Sequence, residues 1–242
     1  LLERAGLMRF AFGPVFGRAL AAPFHRTLAG AAIPWYLTGG IAAANCIAAY
    51  QPKGAASLAA SYSNLNNPGT NDAHTGTEPA WDTTNGWKFA AVSLHKLLCD
   101  AVVGDGWSMI VRFSNSIAAS TTICGCYRDA AGNAGMLISN QPALVRGFHG
   151  TTGNLASNAP TMAGGAGVYA ISLKNCYRGG VLEAAVIGAG SGTGYTGIAI
   201  GALRYNDTSF IQYANVYVQA FALYDTAIDS YVAALSAAMA AL

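Results

Sequence analysis

Charge is what this chain most conspicuously lacks. Only 10% of its 242 residues are charged, and three are glutamate: Glu3, Glu78 and Glu183. Glycoside hydrolysis by paired carboxyl groups needs two acids held about 5–9.5 Å apart. No stretch sets acids at alternate strand positions, and Glu183 stands between Leu182 and Ala184, so that chemistry is not expected. Histidine is also scarce. His25, His74, His95 and His149 form no pair at metal-ligand spacing, and the Gly-x-Ser-x-Gly elbow of α/β hydrolases is missing. The protein is expected not to be an enzyme.

Cysteine is sparse and irregular. Cys46, Cys99, Cys124, Cys126 and Cys176 are odd in number and follow no framework spacing. Cys124-x-Cys126 puts two thiols on one face of a strand, but no second pair completes a zinc site. Buried free thiols in a reducing compartment are expected, the alternatives being a disulfide or a metal. No basic stripe with stacking residues accompanies the net charge of +2, which argues against nucleic acid. The charge-free run Thr27–Pro52 holds Pro34, Gly39, Gly40 and Asn45, which argues against a membrane span. No repeat of 20–50 residues stands out.

What the chain does contain is glycine, 29 residues of it, and 53% hydrophobic residues, the balance of a turn-rich β protein. Its basic character sits at one end. Residues 1–34 hold Arg4, Arg9, Arg18 and Arg26 against the single acid Glu3. Pro14, Pro23 and Pro34 break this apolar segment and forbid one continuous helix. We read residues 1–40 as an arm that docks on a neighbouring subunit or another protein of an assembly, through Arg4, Arg9, Phe10, Phe12, Phe16, Arg18, Phe24, Arg26 and Trp35. The alternative is an arm folded back on its own domain. The missing initiator Met points to processing or to an incomplete chain start.

Along the rest of the chain, Gly106–Ser114 is the clearest alternating strand, with Met109, Val111 and Phe113 on one face and Ser108, Ile110, Arg112 and Ser114 on the other. Shorter strands are expected over 121–127, 135–139 and 143–148, and a hairpin over 166–177 and 181–187. Another strand is expected over 197–203. Asn66-Asn67-Pro68-Gly69 is a strong turn, and Thr70–Gly86 reads as a long polar loop. Gly188-x-Gly190 after a strand imitates a dinucleotide fingerprint, with Asp207 some twenty residues on. Strand and loop follow it instead of a helix, so a glycine-rich hairpin loop is the better reading.

The chain ends on a strand, a break and a helix. Ile211–Tyr224 is aromatic and β-branched, Thr226 and Asp229 have capping-box spacing, and Ile228, Val232, Leu235, Met239 and Leu242 form one helical stripe. The string from Val218 to Asp229 resembles the terminal signature of concanavalin A-like (LamG-type, lectin/glucanase) jelly rolls, most like the versions in tailed phages and prophages. Ile41–Tyr50 followed by Gln51-Pro52-Lys53-Gly54-Ala55 resembles their first strand, and Gly86-Trp87-Lys88-Phe89 matches their GW-x-F stretch.

The fold class is therefore expected to be all-β: a two-sheet antiparallel jelly-roll sandwich over residues 41–242, with an N-terminal extended arm and a short C-terminal helix. The resemblance implies a non-enzymatic structural component of a phage virion, assembled in the host cytoplasm. It would be anchored to other virion proteins through the arm and be a homo-oligomer. The alternative is a carbohydrate-binding module for a host-surface glycan. Aromatic faces and planar polar groups hold sugars, and two loops supply both: Asp72, His74, Trp81 and Asp82 in one, Tyr205, Asn206 and Asp207 in the other. The competing reading is that Trp81 and Tyr205 only pack under their loops. No cofactor is expected. Calcium stays open because related domains in some cases hold it through loop acids such as Asp72, Asp82 and Asp207, although one acid per turn also suits a simple turn former.

Overall fold

The computed structural model describes residues 32–104, 106–114, 121–128, 134–141, 144–151, 161–173, 175–185 and 195–242. The chain divides into two units, Leu1–Ala32 and Ile33–Leu242. The expected arm residues from Arg4 to Arg26 lie outside the described residues, as does the glycine-rich stretch 186–194.

Strand β1 (Cys46–Tyr50) and a single helical turn, α1 (Leu58–Ser61), open the domain. Then follow β2 (His74–Thr77), β3 (Ala80–Asp82), β4 (Gly86–Phe89), β5 (Lys96–Val103) and β6 (Ser108–Ser114). The middle of the chain supplies β7 (Thr121–Arg128), β8 (Ala134–Gln141), β9 (Leu144–Thr151) and β10 (Thr161–Ala163). After β11 (Gly167–Ser172), β12 (Asn175–Arg178) and β13 (Val181–Ala185) come β14 (Tyr195–Ile200), β15 (Leu203–Tyr205) and β16 (Ser209–Ile211). The long strand β17 (Val216–Tyr224) and the helix α2 (Val232–Ala240) close it.

One sheet runs β13-β12-β11-β6-β17-β4-β3, with β1 also on β17. The other runs β10-β9-β8-β7-β14-β5-β2, and β15 and β16 extend it from β7. The β15–β7 pair is parallel. This is the expected two-sheet jelly-roll sandwich with a short C-terminal helix. The GW-x-F stretch and the start of the terminal signature, far apart in sequence, pair directly: Val218 lies opposite Trp87, and Val216 just before the signature lies opposite Phe89.

Several elements differ from the sequence expectation. The polar stretch 70–86 contains β2 and β3, because Thr75, Thr77 and Trp81 find ladder partners in β5 and β4. The expected strand over 166–177 is two strands turning at Leu173, and the one over 197–203 breaks at Gly201. Gly201 has φ +85°, and a Cβ there would stand 2.0 Å from a Phe89 ring carbon, so only glycine fits the turn. The strand over 96–103 was not anticipated.

The main core lies between the sheets and includes Trp87, Met109, Val111, Phe113, Tyr169 and Phe221. Fully burying each such side chain contributes roughly 1.5–3 kcal/mol. A second core covers the opposite face of the first sheet, where Ile110 and Tyr224 meet Val232, Leu235 and Met239 of α2. Trp35, read from sequence as part of the arm, belongs to this second core and is 8% exposed. Tyr36 beside it donates its hydroxyl to the Leu65 carbonyl at 2.9 Å. Residues 33–40 thus belong to the domain.

The capping box does not form. Helix α2 begins at Val232, and its N-cap is Tyr231 without a side-chain cap. Asp229 instead accepts hydrogen bonds from Ser172 (2.5 Å), Asn175 (2.6 Å) and Tyr177 (2.6 Å). Three strong side-chain donors on β11 and β12 outcompete the local backbone N–H groups for that carboxylate.

Candidate functional site

The first group of sequence candidates divides by role. Asp72 accepts from the Asn64 N–H at 2.7 Å and from the Gly69 N–H at 3.1 Å, closing the turn around Pro68. Asn64, fully buried, completes that knot by donating to the Ile47 and Thr70 carbonyls and accepting from Ala49. Trp81 lies opposite Trp87 on the β3–β4 hairpin, packs on the main core, and donates its indole N–H to the Pro52 carbonyl at 2.8 Å. Asp82 accepts from the Asn85 backbone at 2.7 Å and from the Thr84 backbone at 2.9 Å. The Asn85 bonds hold its carboxyl below the ordinary range. Asp72, Trp81 and Asp82 therefore build turns. His74 differs. Its Nε2 lies 2.9 Å from Asp100 Oδ2 on β5, with both side chains about half exposed or more, at 48% and 67%.

The second group forms the β15–β16 turn. Asn206 and Asp207 take φ of +50° and +60°, the left-handed backbone that Asn and Asp tolerate best after glycine. The Arg204 guanidinium donates to the Asp207 carbonyl at 3.1 Å, and the Asn206 N–H donates to the Tyr127 carbonyl at 2.8 Å. Tyr205 stacks on Tyr127 with ring centroids 5.8 Å apart. Its ring packs under its loop.

These two regions meet at residues the sequence reading passed over. Along β5, Leu97, Cys99, Ala101 and Val103 are buried in the core, so Lys96, Leu98, Asp100 and Val102 face outward. The Lys96 ammonium donates to Thr77 Oγ1 at 3.2 Å and stands 4.9 Å from the centre of the Phe210 ring and 5.7 Å from that of Tyr213. Gly76 makes room for it, since a Cβ there would come within 2.7 Å of the Lys96 stem. The result is a partly exposed strip along β2 and β5 that carries the His74–Asp100 pair at one end and the Lys96 ammonium with two rings at the other. The alternation in KLLCDAVV was readable from sequence. The approach of Phe210 and Tyr213 was not, because it depends on where the β15–β16 hairpin lies.

The domain also has a groove of about 300 Å³ lined by Gln51, Gly54, Ala56, Ala60, Ser61 and Leu65, among others. It adjoins the β3–β4 turn, where the Gly54 N–H donates to the Thr83 carbonyl at 2.7 Å. Its Ser61 hydroxyl is already engaged, accepting from the Trp87 indole at 2.7 Å and donating to the Leu58 carbonyl. No lining residue carries a carboxyl, imidazole or thiol.

All five cysteines are free and buried. Burial pushes the Cys46 and Cys176 thiols up to about 12, so they are protonated and poorly nucleophilic at neutral pH. Among the described residues, no three His, Cys, Asp or Glu are grouped to hold a metal, and no helix is long and apolar enough to cross a membrane.

No protein-family profile and no curated protein matches the chain. Solved structures share its fold. A Trypanosoma rangeli sialidase in complex with sialic acid superposes with a TM-score of 0.55 at 14% identity, over 82% of this chain and 33% of the sialidase. The same sialidase as a covalent intermediate with 2,3-difluorosialic acid gives 0.54 at 12% identity, again over 82% and 33%. The botulinum neurotoxin serotype D binding domain gives 0.50 at 12% identity, over 78% of this chain and 50% of that one. The chain thus spans about a third of the sialidases' length, and the likeness is one of fold.

Proposed function

We propose that residues 33–242 form a non-enzymatic glycan-binding module whose recognition surface is the β2–β5 strip with Phe210 and Tyr213. The observation that carries this is the meeting, on one exposed strand pair, of planar hydrogen-bonding groups (His74 with Asp100) and a Lys96 ammonium held against two aromatic rings. Sugars are bound by such a mixture of polar groups and ring faces. The fold neighbours support it, one having been solved with sialic acid and another being a toxin's binding domain. The missing acid run in the sequence and the lack of acid–base groups in the groove favour binding over turnover. A glycan microarray probed with the full chain tests the reading. Binding to a defined set of saccharides, weakened about tenfold or more by His74→Ala or Phe210→Ala, is expected. A blank array would overturn it.

A compatible second reading places this module in a tailed-phage virion, with residues 1–32 docking on neighbouring virion proteins and the chain forming a homo-oligomer. Its support is the resemblance in Gly86–Phe89 and Val218–Asp229, whose strands are direct neighbours in one sheet, and the arginines of the N-terminal segment. The test is the solution mass of the full chain beside one lacking residues 1–32. The cut falls there because the Pro34 carbonyl accepts from Leu37 at 2.9 Å within the domain. A defined oligomer that becomes a monomer on truncation is expected, and two identical masses would sink the idea.

A further inference from the structure

Resting on the glycan reading above, we propose that the module selects anionic saccharides, with Lys96 as the residue that reads the charge. Three observations converge. First, the Lys96 ammonium is placed against aromatic rings. Its stem runs beside Gly76, and its head stands 4.9 Å from the centre of the Phe210 ring and 5.7 Å from that of Tyr213, within cation–π range of both. Second, no carboxylate of the described residues lies within ion-pair distance of it, and its one hydrogen bond goes to the neutral Thr77 hydroxyl. An ammonium has three N–H donors, so two remain for a ligand. Third, the acid on the same outward row, Asp100, is already bound to His74 and stands four residues away, about 13 Å along the strand. That separation spans two to three sugar rings. One end of the row then offers a cation, and the other offers a polar pair for neutral hydroxyls.

The ligand class this fits is an oligosaccharide with a carboxylate or sulfate on the ring seated at Lys96. A charge-assisted hydrogen bond in a partly dry setting is roughly twice as strong as a neutral one.

Calorimetric titration of the full chain with trigalacturonate, a 6-sulfated galactotriose and neutral galactotriose tests the proposal. Lys96→Met is the matched variant because it keeps an unbranched stem over Gly76 and against the rings. The expected result is that at least one anionic trisaccharide binds about tenfold or more tighter than the neutral one, and that Lys96→Met erases this preference, bringing the anionic affinity down to that of neutral galactotriose measured with the same variant. The carboxylate and sulfate arms identify which anion is preferred. Equal binding of all three, or a preference that survives Lys96→Met, overturns the anion proposal and leaves the glycan reading standing. No binding of any of the three, with a microarray positive for neutral sugars only, likewise overturns only the anion proposal. A blank microarray overturns both.

Discussion

The Ser172 hydroxyl donates to the Asp229 carboxylate at 2.5 Å and accepts the Ile228 N–H at 2.8 Å. One side chain at the end of β11 thus fixes the approach to the closing helix. Ser108 reinforces the joint by donating to the Thr226 carbonyl at 2.8 Å, and at the far end Arg112 donates to the Met239 carbonyl at 2.7 Å. The helix is therefore tied at both ends to the sheet whose outer face it covers.

Asp229→Asn is expected to lower the unfolding free energy by about 2–3 kcal/mol, since all three donors lose their charged acceptor and at least one then faces an amide NH2. Ser172→Ala should lose roughly 1–2 kcal/mol. Urea unfolding followed by tryptophan fluorescence measures both, and an unchanged midpoint for Asp229→Asn would contradict the role given to this carboxylate.

The same joint sets pH limits. Burial would raise the Asp229 pKa, but the bonds from Asn175, Ser172 and Tyr177 together hold it below its ordinary value of 3.8. A lowered folded-state pKa gives stability that is complete above the ordinary value and is lost as pH falls below it. Tyr177 behaves oppositely: burial first, then its bond to Asp229, push it up to about 12 from 10.0. Its contribution is complete below pH 10 and disappears as pH rises toward 12. Melting temperature against pH should show both limbs, with the acid limb flattened in Asp229→Asn and the alkaline limb reduced in Tyr177→Phe.

Gly201→Ala should cost at least about 3 kcal/mol, because it combines a disfavoured backbone with overlap on Phe89. Phe89→Leu in the same chain relieves only the overlap, so partial recovery in a thermal melt is expected. A melt unchanged by Gly201→Ala would mean that the β14–β15 turn is not built as described.

The outward strip should be dispensable for folding. His74→Ala removes one partner of an exposed imidazole–carboxylate contact, and exposed pairs of this kind contribute about 0.2–1 kcal/mol. The variant should keep the wild-type melting temperature within a few degrees while losing saccharide binding. A large drop in stability would mark the pair as structural.

The contrast between Met109 and Lys96 explains what was legible. Met109, Val111 and Phe113 alternate with a period of two, and the main core takes all three, because burial follows local pattern. The intervening Ser108, Ile110 and Arg112 were read as the opposite face, and that face is covered too, by α2. The aromatic β17 was legible from composition, but the capping role of Asp229 was misread because its partners Ser172, Asn175 and Tyr177 lie over fifty residues earlier in the chain. In the candidate site, His74 was identified while its partner Asp100 was not. Trp81 and Asp82 were singled out by residue type, yet their polar atoms serve turns. Aromatic and acidic residues mark loops of either kind, and only the hydrogen-bond partners separate them.

Amide chemical-shift mapping of the full chain, titrated with the saccharide that binds most tightly in the microarray and the calorimetry, tests the recognition surface most directly. Saturable shifts concentrated at His74–Thr77, Lys96–Asp100 and Phe210–Tyr213 are expected, with the groove residues from Gln51 to Leu65 unmoved. Shifts confined to the groove would place the saccharide elsewhere and overturn the surface proposed here.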